Sequence, residues 1–344
     1  MFGRAASHLL LGTAAAPRML ARRGAAASVA VSDLDLAQRK IDMEGFAHVR
    51  LGAGASLLEM ENAARRLMNL KPSGGGSYNG GGGVTRNAIE GSSFLNGSAG
   101  APSELPVQFH NEMAYSGRVP THLAFAMITQ AGTGGTTLLA DNIEVTRMLS
   151  SELKQKLQRL GVRYIRNLHD ESKRGSPDFF MSWQGSFVTE DLEEAMRIGN
   201  HETSVLRRHE DGQRIQHIAW SSVFLEHHAH GDLYFSSILN RHGSWLDGHK
   251  VFGKMPLHER PYHCVWGDGA EFSVEEMQEL RAVHEQATIQ VQLDKGDVIV
   301  MDNLRVAHGR TDFVGDRLIG LLLSEMITRD LKPPIEFTRL RSEV

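Results

Sequence analysis

From residue 122 onward, apolar residues come mostly in short runs bounded by turn formers rather than at the three- and four-residue spacing of a surface helix. HLAFAMIT (122–129), TTLLAD (136–141), ATIQVQL (287–293), DVIVMDN (297–303) and LIGLLLSE (318–325) have the length and branched or aromatic content of buried strands. VRYIRNL (162–168) and LYFSSIL (233–239) predict two more, and GFAHVRL (45–51) opens the series. Helical spacing appears in LLEMENAARRLMNL, where Leu57, Met60, Ala64 and Leu67 share one face, and helices are predicted at roughly 145–160, 189–199 and 273–285. Short strands with helices inserted between them, rather than alternating one for one, argue against a doubly wound parallel sheet. They predict a mainly β chain, a barrel or double-sheet jelly roll of cupin-like form whose mouth can hold a small ligand. No repeat and no evident linker divides residues 33–344, which read as one domain.

Composition narrows the function classes. With Lys+Arg 37 against Asp+Glu 41 the chain is mildly acidic, so it lacks an electrostatic footprint for nucleic acid and a small-molecule partner is expected. The single cysteine, Cys264, excludes disulfide frameworks and cysteine-rich zinc modules. No run of 18 apolar residues predicts a membrane span. Residues 1–32 differ from the rest: Arg4, Arg18, Arg22 and Arg23, many Ala and Ser, and no acidic residue before Asp33. That is the composition of an organellar transit peptide, mitochondrial by preference and plastid otherwise. Without those four arginines the formal charge falls from −4 to −8.

The candidate chemistry begins at VQFHNEMAYS. In an extended strand, residues i and i+2 point to one face, so His110 and Glu112 are expected side by side with Asn111 turned away. In a chain with 17 histidines such a pair also arises by chance, so it needs a third ligand. His308, just after the buried run 298–301 and the turn at Asp302 and Asn303, supplies one. Two histidines and one carboxylate form the facial triad of non-heme Fe(II) sites, which leaves coordination positions open for a co-substrate and O2. Upstream, KPSGGGSYNGGGGVTRNAIEGSSFLNGSAG carries ten glycines with Tyr78, Val84, Arg86, Ile89, Phe94 and Leu95 among them. It fits neither phosphate-loop nor dinucleotide spacing, and reads as a loop folded over a ligand.

These pieces together resemble the TauD/TfdA family of Fe(II)/2-oxoglutarate-dependent dioxygenases, in particular its clavaminate synthase-like members. The resemblance rests on YNGGGGVTR (78–86), FHNEMAY, GTGGTTLLAD (132–141), DNLRVAHGR (302–310) and GDRLIGLLL, with SWQGSF (182–187) and WGDG (266–269) pointing to the subgroup. It covers nearly everything from Gly45 onward. It implies a double-stranded β-helix with His110, Glu112 and His308 on iron, and 2-oxoglutarate and O2 as co-substrates. By position it also implies that Thr137 and Arg317 hold the distal carboxylate of 2-oxoglutarate, a guanidinium offering that group a bidentate fork. The second arginine of many members is Leu321 here, which makes Arg310 a secondary candidate. Related halogenases lack the carboxylate ligand; with Glu112 in place, hydroxylation of a small molecule with release of succinate and CO2 is expected rather than chlorination. Tyr78, Asn79 and Arg86 are candidate substrate contacts.

Other constellations compete for attention. FLEHHAHGD gathers Glu226, His227, His228 and His230, which reads more readily as a solvated loop than as a second metal site. His122 heads an apolar strand and reads as a rim histidine. Trp183, Trp220, Trp245 and Trp266 could cage a trimethylammonium substrate, as in carnitine-pathway relatives. A non-catalytic jelly roll that binds a metabolite is the rival from another class. A zinc hydrolase is a weaker rival, since no His-Glu-x-x-His helix is present.

Overall fold

The computed structural model describes residues 32–71, 89–90, 92, 96–97 and 101–343. The transit-peptide expectation and the substrate candidates Tyr78, Asn79 and Arg86 fall outside these residues.

Two antiparallel sheets form the centre. The first runs in the order β1 (Phe46–Arg50), β10 (Asp297–Asp302), β3 (His122–Thr129), β12 (Leu318–Leu323), with the short strand Asn96–Gly97 at its edge. The second runs β9 (Thr288–Val291), β4 (Thr137–Asp141), β11 (Val306–Arg310), β2 (Val107–His110). In both sheets every pairing joins a strand that ends by Asp141 to one that begins at Thr288 or later. A third sheet, β8 (Tyr262–Trp266), β5 (Val162–Leu168), β7 (Ile215–Ser221), β6 (Ser204–Arg208), adjoins them. The mainly β jelly roll expected from the sequence is the architecture found.

The continuous apolar runs follow from covering both faces of each sheet. On β10, Ile299 and Met301 turn inward to meet Leu139, Val291 and Val306 of the second sheet, while Val298 and Val300 turn outward. The outward side is covered by α1 (Leu34–Glu44) through Ala37 and Ile41 and by α2 (Leu57–Leu67) through Met60, Ala64 and Leu67. The outer face of the second sheet, Phe109, Leu138, Ala140 and Ala307, lies under α3 (Asn142–Met148), α4 (Ser151–Leu160) and α6 (Val274–Gln286).

Two expectations are corrected. The helix predicted over 145–160 is two helices, α3 and α4. The Ser150 hydroxyl caps the second by accepting from Leu153 N–H, and Glu279 binds the Ser150 N–H at the break. The strand predicted over 233–239 ends at Tyr234, the close of the short strand Gly231–Tyr234, and Ile238–Arg241 form a one-turn helix, α5. Ser236 Oγ accepts from Ile238 N–H and Ser237 Oγ donates to the Asn111 carbonyl, so the serines satisfy backbone groups that a strand would pair. Strands β6, β7 and β8 and helix α1 went unpredicted.

Candidate active site

β2 and β11 are neighbours, and His110 sits opposite His308 with ring centroids 4.2 Å apart. Phe125, reaching across from the first sheet, meets the His308 ring edge-on at 5.2 Å. The register then shifts: Arg310 opposes Val107, so β2 carries one residue more than β11 over this stretch, a β-bulge. Beside the bulge, a Cβ on Gly309 would lie 2.7 Å from the Val107 carbonyl oxygen, a contact that only glycine avoids. Within it the His110 Nδ1 lies 2.9 Å from the Gln108 carbonyl. A carbonyl can only accept, so Nδ1 carries the proton and Nε2 keeps the lone pair a metal needs.

Glu112 reaches the site differently from the expected strand alternation. β2 ends at His110, and Glu112 lies in the following turn, where Met113 takes a left-handed φ of 60°. Two fully buried asparagines fix that turn. The Glu112 N–H donates to Asn303 Oδ1 at 2.7 Å, and Asn303 Nδ2 donates back to the carbonyls of Glu112 and Pro120. Asn111 Nδ2 donates to the Asn303 carbonyl at 2.7 Å, and Asn142 Nδ2 donates to Asn111 Oδ1. As a result Glu112 Oε2 stands 3.8 Å from His308 Nε2, and the ligand atoms of His110, Glu112 and His308 all lie within 4.8 Å of one another. Two imidazoles and one carboxylate converging beside an open cavity suit a divalent iron ion.

That cavity has a volume of about 530 Å³ and is bordered by all three candidate ligands. At one end, Thr137 on β4 pairs across to Arg310 on β11, and both line the cavity with Arg317. The two arginines are used differently. Arg310 donates to the carbonyls of Pro102, Leu105 and Thr311. Among the described residues Arg317 donates one long 3.3 Å bond, to the Gly135 carbonyl, and its buried Nε has no partner. Burial, then the neighbouring Arg310 charge, lowers the Arg317 pKa to about 10, so it stays protonated at neutral pH. Gly135, at φ +71°, lets the backbone approach closely: a Cβ there would sit 3.0 Å from Arg317 Nε.

The other end is aromatic, with Tyr115, Phe179, Phe180, Trp245 and Tyr262 in the wall. Trp245 donates its indole N–H to the Pro106 carbonyl, leaving its ring face as its contribution. Trp183, Trp220 and Trp266 are buried in three separate clusters, so the four tryptophans form no cage. Among the described residues the 226–230 segment joins no metal-ligating cluster: His227 Nε2 is bonded to Asp302 at 2.9 Å, and His228 and His230 are exposed. His122 stands at the start of β3 with Nδ1 3.2 Å from Thr121 Oγ1, a rim position.

The sequence reading missed Asn303, Asn111, Phe125 and Arg241. Asn303 lay inside DNLRVAHGR, where a turn asparagine before a ligand strand was a usable signal. Phe125 and Arg241 carried none.

Residues 41–322 match the family described as taurine catabolism dioxygenase TauD, TfdA family. The chain belongs to that family. TauD/TfdA proteins are Fe(II)- and 2-oxoglutarate-dependent oxygenases, so this chain is an oxidoreductase of that kind. It is 26% identical over 242 residues to the dapdiamide synthesis protein DdaC of Enterobacter agglomerans, covering 66% of this chain and 68% of that protein. It is 24% identical over 237 residues to a clavaminate synthase-like protein of Arabidopsis thaliana, covering 68% of each. Among solved structures, an asparagine oxygenase in complex with Fe(II), 2S,3S-3-hydroxyasparagine and succinate gives a TM-score of 0.46 at 14% identity, over 85% of this chain and 77% of that one. No helix among the described residues is long and apolar enough to cross a membrane.

Proposed function

We propose that this TauD/TfdA member hydroxylates a C–H bond of a small molecule, with His110, Glu112 and His308 holding Fe(II) and Arg317 holding the distal carboxylate of 2-oxoglutarate. The observation that carries the reading is the convergence of the three ligand atoms within 4.8 Å on a cavity that is also lined by Arg317, a guanidinium with no carboxylate partner among the described residues. When loaded, an iron centre of this family supplies O2-driven oxidation of the substrate, with 2-oxoglutarate leaving as succinate and CO2.

The chain's own part is to position and exclude. Gln108 fixes the His110 tautomer, and the Asn111 and Asn303 pair fixes the Glu112 backbone. Thr137, opposite Arg310 across β4 and β11, lines the same cavity as Arg317 and on this reading supports the carboxylate. Phe125 and Ile319 line the cavity near His308 and keep water from that side. Glu112 fills the ligand position that a halide needs, which supports hydroxylation over chlorination. A trimethylammonium substrate fits poorly, because the aromatic end holds the cation Arg241 in place of a cage.

The test is anaerobic Fe(II) binding and substrate-dependent succinate release. His110→Ala, Glu112→Ala and His308→Ala are each expected to abolish release and weaken Fe(II) binding. Near wild-type release from any of the three removes that residue from the ligand set.

A further inference from the structure

The turn WGDG (266–269), which the oxygenase chemistry leaves unused, closes β8 and builds a seat for Arg163 on the neighbouring strand β5. Arg163 Nε donates to the Gly267 carbonyl at 2.8 Å. Close approach requires both glycines of the turn. A Cβ on Gly267 would lie 1.8 Å from the Leu160 carbonyl oxygen, and one on Gly269, at φ +99°, would lie 3.2 Å from Arg163 Nη1. The Phe337 ring of the C-terminal helix α7 (Ile335–Ser342) stands 5.7 Å from the same guanidinium. Burial lowers the Arg163 pKa; Asp268 and Glu336 oppose that shift and Arg207 adds to it. Yet among the described residues no carboxylate comes within ion-pairing distance of this positioned cation, whose hydrogen bond goes to a neutral carbonyl.

Arg163 borders a second cavity, of about 400 Å³, on the face of the third sheet turned away from Tyr164 and Cys264. Strand alternation puts Tyr262 in the active-site wall and His263 and Val265 in this one, so β8 separates the two cavities. Ile165, Ile218 and Val265 give it an apolar floor, with Leu340 of α7 at the edge. Arg207 lines it too, donating Nε and Nη2 to Gln216 Oε1 at 3.1 and 2.8 Å, and like Arg163 it has no ion-pair partner among the described residues. Of the carboxylates on the rim, Glu259 is bound by Arg214, Glu271 lies 2.9 Å from His263 Nε2, and Glu210 is exposed. We infer that this cavity is a second ligand site, for a phosphate monoester with a short apolar body, its phosphate between Arg163 and Arg207 and its body on Ile165 and Ile218. Two guanidinium forks match the two charges and the oxygen geometry of a phosphate, whereas a monocarboxylate leaves one cation uncompensated. Because the WGDG turn orients Arg163 before the ligand arrives, little side-chain freedom is lost on binding.

The experiment titrates phenyl phosphate, inorganic phosphate and benzoate calorimetrically into the full chain, first alone and then with just enough Mn(II) and 2-oxoglutarate to fill the candidate iron site. Phenyl phosphate is expected to saturate one site per chain with a Kd of about 1 mM or tighter, unchanged by the additions, and to bind more tightly than either control. Arg163→Gln and Arg207→Gln are each expected to weaken it by about tenfold or more, with Arg163→Lys restoring part of the loss. The inference is overturned if the wild type shows no saturable binding, if benzoate binds as tightly, or if either folded glutamine variant stays within about twofold of wild type. Loss of binding on adding Mn(II) and 2-oxoglutarate also overturns it, since the probe then sits in the active-site cavity. Arg207, which stands outside the WGDG seat, keeps the test decisive where the Arg163 variant fails to fold.

Discussion

Arg317 and Arg310 sit on the same wall with the same side chain, and their hydrogen bonds separate their roles. Arg310 is committed to three backbone carbonyls, whereas among the described residues Arg317 makes one long bond, to the Gly135 carbonyl. Removing a buried charge-assisted partner costs about 2 to 5 kcal/mol. Arg317→Leu is therefore expected to raise the 2-oxoglutarate KM by roughly 30-fold or more, at about 1.4 kcal/mol per tenfold. Arg310→Leu is expected to lower the midpoint of thermal unfolding, because the Pro102 and Leu105 carbonyls lose their donor. Steady-state kinetics and a melting curve on both variants check the division. A KM effect confined to Arg310→Leu would reverse it. At this scale the sequence was readable where chemistry is written in residue type: two histidines, a carboxylate and an arginine before an apolar strand. Arg241 was not readable, because its place in the wall comes from its packing on Tyr115 and Tyr262 and from a helix that starts only at the end of LYFSSIL.

Among the elements, the turn that carries Glu112 depends on the turn that precedes β11. Asn303 joins them through three hydrogen bonds across 191 and 183 residues of chain. Asn303→Ala removes the acceptor of the Glu112 N–H and the amide donor to the Glu112 and Pro120 carbonyls, and a lost bond to a buried group costs about 1 to 3 kcal/mol. The expected outcome is a loss of at least about 2 kcal/mol in chemical denaturation, together with weaker Fe(II) binding, since Glu112 loses its anchor. Unchanged metal affinity in a destabilised variant would show that the turn holds its shape without Asn303. Strand alternation put Glu112 on the right side of the chain by the wrong route. Periodicity speaks for a strand only while it lasts, and nothing in HNEM marks where β2 stops. The central strands were legible because both their faces are apolar; β6 and β7 were not, because Arg207, Arg208 and Gln216 interrupt them.

For the whole molecule, buried neutral histidines set the response to acid. Burial lowers His284 to about 4 and His242 to about 3, against 6.5 when exposed. Because the folded values lie below the unfolded one, this stability is complete above pH 6.5 and is lost as pH falls toward 4. His284 alone, packed against Phe109 and Tyr234, is expected to remove about 2 kcal/mol between pH 7 and pH 5. Denaturation curves at fixed ionic strength check it, and His284→Leu should show a shallower fall; an identical slope would assign the acid sensitivity elsewhere. The strand order bears on the molecule's history as well as its stability. Since each pairing in the two central sheets joins an early strand to one that begins at Thr288 or later, neither sheet can close on a ribosome that has not yet delivered Thr288 and the strands after it. Until then β3 and β4 wait with both edges bare, exposed to chaperones and to one another. On the proposed ligand set His110 and Glu112 wait for His308, so the complete metal site is among the last things the chain can make.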